Sequence, residues 1–221
     1  MRYLLLFIVF LPVLGFSQST GQVWSEIGLK GDLTKKLDWS VEVNTRFGSA
    51  MGVESFFPQV GLKYKVAKWF RPSINYRFIL DLDRYGNYAP ANRFMLNASF
   101  EKDFNKRLAG EFRIRYQNEF SRWSSNSGYE QSMKQIVRFK PELVYDIKKS
   151  IFKPYINSEL FYTLEPYNSH FSKLRIGVGT DFEIDDPLSI GVGYIYDKEL
   201  NNTKGLPSIR HVFTTSIKYK F

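Results

Sequence analysis

The sequence contains no cysteine. Disulfides, thiolate metal sites and thiol nucleophiles are excluded together, so the fold has to be stable without covalent staples. Histidine is nearly as scarce. His170 and His211 are the only two, and neither sits in a histidine–carboxylate cluster, so no metal site of the usual kind is expected. No Gly-rich phosphate loop occurs. In "DLDRYGN" the spacing of Asp81, Asp83 and Gly86 falls short of a calcium loop, because Tyr85 stands where an oxygen ligand is needed and no bidentate glutamate follows at the required distance. No cofactor is implied. After residue 17 long apolar runs are also absent, and the mean hydropathy of the whole chain is −0.30, so a membrane-spanning helix, which needs ~20 apolar residues, is not expected there.

Residues 1–17, "MRYLLLFIVFLPVLGFS", have a different character. One positive charge at Arg2 precedes an apolar run from Leu4 to Phe16, with small residues at Gly15 and Ser17. This is the pattern of a secretory signal peptide cut before Gln18. The expected domain organisation is therefore a leader over 1–17 and one exported domain over 18–221.

That domain is rich in aromatic residues and in interleaved charge. Phe, Trp and Tyr make up 17% of the chain, with 20 Phe and 14 Tyr, and the formal net charge is +9. Lys and Arg are spread one or two per segment with acids among them, and this spread argues against a nucleic-acid surface. The interleaving has a period of two. In "DWSVEVNTRF", Trp39, Val41, Val43, Thr45 and Phe47 fall on one face and Ser40, Glu42, Asn44 and Arg46 on the other, as along a strand. The same contrast recurs over 23–30, 56–66, 70–80, 93–104, 108–120, 133–145, 152–163, 172–184, 188–197 and 209–221.

Connections between these segments alternate in length. "AKW", "DFNKRL", "DIKKS" and "DDP" are short, whereas "GSAMGVES", "DLDRYGNYAPAN", "SRWSSNSGYEQS", "LEPYNSH" and "KELNNTKGLPS" are longer and richer in Gly, Asn, Ser and Tyr. Short turns on one side and long loops on the other characterise outer-membrane barrels. Aromatics concentrate near both segment ends, as membrane interfaces select. The expected fold is all-β, a transmembrane antiparallel β-barrel whose apolar faces meet lipid. Eleven segments can be counted. Ten to twelve strands are expected, with an even number, ten or twelve, preferred because both termini would then lie on one side of the membrane. Pro58, Pro72, Pro141 and Pro154 fall inside segments and are expected at strand ends or bulges.

The last segment runs to the final residue. Phe213, Ile217, Tyr219 and Phe221 share its apolar face, and this face resembles the C-terminal signal by which the barrel-assembly machinery reads outer-membrane proteins. Across the domain, "LTKKLDWSVEVNTRF", "ELFYTLEP" and "RIGVGTDFEI" followed by "IGVGYIY" resemble the small outer-membrane barrels catalogued as domain of unknown function 2490. The resemblance implies a fold, outer-membrane lipid as surroundings and the assembly machinery as partner. It implies no catalytic residue.

Three functional readings follow. The polar parity collects Arg71, Arg77, Arg93, Glu111, Arg113, Arg115, Arg138, Glu142, Glu159, Arg175, Asp181 and Arg210, which an inward face must pair or hydrate. The first reading is a structural or surface-interacting barrel whose lumen these charges fill. The second is a small, weakly anion-preferring pore lined by the same charges. The third takes His170 and Ser172, which share parity with Leu174 and Ile176 and would face lipid at the outer rim. Such a pair resembles the outer-membrane phospholipase and lipid A deacylase families, although no positioned group orients the histidine. Gly177, Gly179, Gly191 and Gly193 are expected on the inward wall, with Gly179 opposite Gly193.

Overall fold

The computed structural model describes residues 21–48, 52–83, 85–121, 133–185, 187–200 and 209–221. The leader and the loop stretches 122–132 and 201–208 lie outside these described residues. Eleven strands succeed one another: β1 (Gly21–Asp32), β2 (Leu37–Phe47), β3 (Val53–Tyr64), β4 (Phe70–Leu82), β5 (Tyr88–Asp103), β6 (Leu108–Phe120), β7 (Met133–Tyr145), β8 (Phe152–Leu164), β9 (His170–Asp185), β10 (Leu188–Glu199) and β11 (Ile209–Lys220). They close into a barrel in chain order. An isolated strand edge would leave backbone donors and acceptors unpaired in hydrocarbon, at several kcal/mol each, and closure removes every edge.

Eleven strands match the eleven segments counted and fall within the expected ten to twelve, against the preference for an even number, and one pairing departs from the antiparallel expectation. Successive strands are antiparallel, so in an odd-numbered barrel the first and last must run the same way. β1 and β11 accordingly pair in parallel, with Val23 opposite Phe213 and Leu29 opposite Tyr219. β1 therefore starts at the long-loop rim, whereas β11 ends at the short-turn rim. Across this seam Lys218 Nζ meets Glu26 Oε1 at 3.1 Å, and the Phe221 amide donates to the Lys30 carbonyl at 2.9 Å.

The two-residue period sorts side chains between the two faces of the wall. Ile27, Val60, Ile74, Leu96, Ile156, Val178 and Ile217 point outward and stay exposed, Ile74 at 51%. An outer wall of this kind is built to meet hydrocarbon. At the short-turn rim Trp39 stacks on Phe221 with centroids 6.0 Å apart, and Trp69 stacks on Phe100 at 6.3 Å. At the long-loop rim Tyr162 meets Phe171 edge-on at 5.0 Å. Replacing Phe221 by alanine removes its stacking with Trp39 and its edge-to-face contact with Tyr219, pairs worth about 1 kcal/mol each. We expect that variant to lose its folded gel mobility at a lower temperature than the wild type.

Only two of the four prolines lie near strand starts. Pro72 and Pro154 are each the third residue of their strand, but Pro58 and Pro141 sit mid-strand without shifting the register. There the ladder to one neighbour is interrupted: β3–β4 pairing skips from Phe56 to Gln59, and β7–β8 pairing from Phe139 to Glu142. A residue with no N–H donor opens the ladder locally while the closed barrel keeps both flanks in line.

Candidate functional site in the barrel lumen

Among the described residues, two large cavities lie in the barrel interior. One, of about 810 Å³, lies toward the long loops and reaches Glu165, His170 and Glu199; the other, of about 640 Å³, lies toward the short turns and reaches Asp32, Lys65 and Lys220. Six side chains border both: Glu26, Arg77, Arg113, Arg115, Lys140 and Lys218. The chambers meet at a girdle of five cations and one carboxylate.

Strand register explains why cations concentrate there. Arg77 lies directly opposite Arg93 on β4–β5, while on β6–β7 Arg113 lies opposite Lys140 and Arg115 opposite Arg138. Carboxylates are grouped in the same way, with Glu111 opposite both Glu101 and Glu142. Like charges placed directly across a strand pair are unfavourable. Folding alone gives no reason for three such cationic pairs on adjoining strands.

Partners relieve part of this charge. Arg93 is paired with Glu119. Glu159, only 5% exposed, receives Arg138 Nη2 at 2.6 Å, Arg113 at 3.6 Å and Arg175 at 3.9 Å. The fully buried Asp197 gathers Arg175 at 3.2 Å, Arg210 at 3.3 Å and Lys173 at 3.8 Å. These contacts form one continuous network over β6–β11. Toward the short turns Arg71 pairs with Glu101 at 3.1 Å, Lys140 with Glu142 at 2.7 Å, and Ser99 donates to Glu111 at 2.9 Å. Asp181 lines the long-loop chamber beside Gly191.

Three guanidinium groups lining the lumen have no carboxylate partner among the described residues. Arg77 donates only to Gln59, at 2.8 Å, and Arg115 only to Asn97, at 2.5 Å. Arg46 rests on two rings, 4.0 Å from the centroid of Trp24 and 4.7 Å from that of Phe57, and Arg77 lies over the same Phe57 at 5.2 Å. All three border the long-loop chamber. A guanidinium held by neutral amides or aromatic faces keeps its full charge available to the chamber.

Several of these residues follow from sequence parity and others do not. Arg46 shares the polar face of "DWSVEVNTRF". Phe57 and Phe161 break the alternation by pointing inward among polar neighbours, and Phe161 carries Arg138 at 4.5 Å and Arg175 at 4.8 Å. Gly179 does lie opposite Gly193, but the space they leave is taken by Tyr155, whose hydroxyl stands 2.5 Å and 2.7 Å from where their β-carbons would be. At Gly179 the Val192 carbonyl is also within 2.6 Å of that point, so the backbone itself blocks a side chain. Gly179→Val should therefore prevent recovery of folded barrel, whereas Tyr155→Phe should not; the folded fraction on unheated gels measures both.

His170 and Ser172 do not face lipid, which corrects the expected orientation. The β8–β9 register shifts between Phe161 and Tyr162, so that Tyr162 pairs with Phe171 and Phe161 with Lys173. Ser172 is the extra residue of this bulge, and the alternation reverses there. His170 and Ser172 line the long-loop chamber, while Phe171 points outward. Each of the two has a different partner: Thr163 Oγ1 donates to Ser172 Oγ at 2.8 Å, and His170 Nδ1 lies 2.7 Å from the Asn168 carbonyl oxygen. Among the described residues no group of three or more histidines and carboxylates could hold a metal ion.

An apolar outer wall, closed backbone pairing and a charged, chambered interior define a transmembrane β-barrel. More particularly, the chain belongs to the family described as Protein of unknown function (DUF2490), which matches residues 21–205. Among solved structures it is similar to the NanC porin in a rhombohedral crystal form, with a TM-score of 0.51 and 14% identity over 79% of this chain and 84% of that one. At that identity the likeness is one of fold. No curated protein matches the chain.

Proposed function

We propose that this barrel is an outer-membrane conduit for small anions, selective because every solute must pass the girdle of Arg77, Arg113, Arg115, Lys140 and Lys218. The carrying observation is that these cations stand where the two chambers meet, with only Glu26 among them. A narrow ring of charged side chains sets ion preference by sign. The solved NanC barrel, of the same fold, is a porin. Export through the leader at 1–17 and recognition of Phe213, Ile217, Tyr219 and Phe221 by the assembly machinery belong to the same proposal. The apolar outer wall and the aromatic rims support membrane insertion.

The test is conductance in planar bilayers under a potassium chloride gradient. Steady currents with a reversal potential on the chloride side are expected. A wild-type protein that inserts and conducts nothing would replace this reading with that of a structural barrel.

A further inference from the structure

The rim opposite the long loops carries a feature that conduction does not use. Four of the five short connections repeat one composition. Residues 33–36 present Leu33 with Lys35 and Lys36; 65–69 present Val66 and Trp69 with Lys68; 104–107 present Phe104 with Lys106 and Arg107; 146–151 present Ile147 and Ile151 with Lys148 and Lys149. All these side chains are exposed. None of the seven cations has an ion-pair partner among the described residues, whereas Lys65, in the second turn, is held by Asp38 at 2.9 Å. The acids beside these turns are Asp32 and Asp38, both engaged by Lys65, with Asp103 and Asp146. The fifth connection, residues 186–187, carries no cation.

Short-range bonds fix these turns. Thr34 Oγ1 accepts from the amides of Lys36 and Leu37, and Asn105 Oδ1 from those of Arg107 and Leu108. Lys149 adds an independent sign. Its φ is +59°, and it is the only non-glycine residue with positive φ among the described residues. Glycine or asparagine would occupy that conformation with less strain, yet the position holds an exposed, unpaired cation.

We propose that this ring binds the phosphate headgroups of anionic phospholipids in the leaflet that meets the short-turn rim. The proposal rests on the membrane-spanning fold and not on conduction. Lipid fits better than an acidic protein for two reasons. The cations are distributed over four turns around the barrel instead of forming one patch. Each turn also carries an exposed apolar residue beside its cations, directly past the rim of Trp39, Trp69 and Phe221. Apolar anchors among basic side chains suit a headgroup region, and the attraction to anionic lipid screens with salt.

Trp39 and Trp69 report on this rim directly. The full-length protein, with Trp24 and Trp123 replaced by phenylalanine, is reconstituted in phosphatidylcholine vesicles containing either brominated phosphatidylglycerol or brominated phosphatidylcholine as the minor quencher. Quenching by the anionic lipid is expected to reflect about fivefold tighter association at low salt, falling toward parity at high salt. Changing the seven cations to glutamine should abolish the preference. If that variant does not fold, Lys149→Gly serves alone, since it relaxes the backbone while removing one charge. It should reduce the preference measurably with no loss of thermal stability in pure phosphatidylcholine. Equal quenching by both lipids at low salt, or a preference that survives removal of the charges, would overturn the proposal, and equal quenching would leave the ring to an acidic partner in water.

Discussion

Replacing Arg113 and Arg115 together by alanine is expected to raise the unit conductance and to cut the anion-over-cation permeability ratio about fivefold. Two effects combine. Both side chains border the passage between the chambers, so shortening them widens it. Selectivity falls because of what remains. Of the three residual girdle cations, Lys140 is paired with Glu142 and Lys218 with Glu26, which leaves Arg77 as the one without a carboxylate partner among the described residues. A unit charge a few ångströms from a hydrated ion contributes about 1 kcal/mol in water-like surroundings, and that corresponds to the fivefold figure. Arg71→Ala is the control: Arg71 lies outside the girdle and pairs with Glu101 at 3.1 Å, so reversal potentials should stay near wild type. A double variant with unchanged selectivity would show that the girdle does not filter, and the conduit proposal would then lose its mechanism.

The largest stability effect is expected at Asp197. Its carboxylate is fully buried and is approached by Arg175, Arg210 and Lys173 within 3.8 Å. An asparagine side chain in its place would have nearly the same shape but no charge, leaving three cations around a neutral amide. Breaking a buried ion pair by removing one partner costs about 3–5 kcal/mol, mostly as the penalty of the stranded charge. Water in the adjoining chamber moderates this, so Asp197→Asn should destabilise the barrel by about 3 kcal/mol, read as a lower urea midpoint for loss of folded mobility. A second change, Lys173→Met, should restore part of the loss by removing one stranded cation. A shift below about 1 kcal/mol would mean that chamber water screens the cluster and that the network organises the lumen without anchoring it.

The two variants separate roles that a shared sign of charge would hide. Arg113 and Arg115 border the junction of the two chambers, which the conduit proposal makes the path of the solute. Asp197 lies in the wall, holding Arg175 and Arg210 toward β9–β11. Asp197→Asn is therefore expected to change stability more than selectivity, and the Arg113/Arg115 variant the reverse.

The sequence alone determined the strands, their two faces and the rims, because each follows from local geometry. Side chains alternate on a pleated backbone whatever its partner, so period-two apolarity in "EFRIRYQNEF" or "HVFTTSIKYKF" sorts lipid-facing from luminal residues, and loop lengths sort one rim from the other. Even the pairing of Gly179 with Gly193 was legible, since a short turn fixes the register of the hairpin around it. Tertiary structure alone decided the rest. The parallel β1–β11 seam arises from closing an odd number of strands, a condition imposed by the whole circuit. The bulge at Ser172 reverses a parity that no local pattern marks, and so carries His170 from the lipid side to the lumen. Tyr155 fills the glycine wall, and Phe57 and Phe161 serve as seats for arginines brought over their rings by neighbouring strands. The girdle is of the same kind: residues from β1, β4, β6, β7 and β11 reach one level only through the stagger of strands around the barrel, and charges far apart in the chain then border the junction of the two chambers.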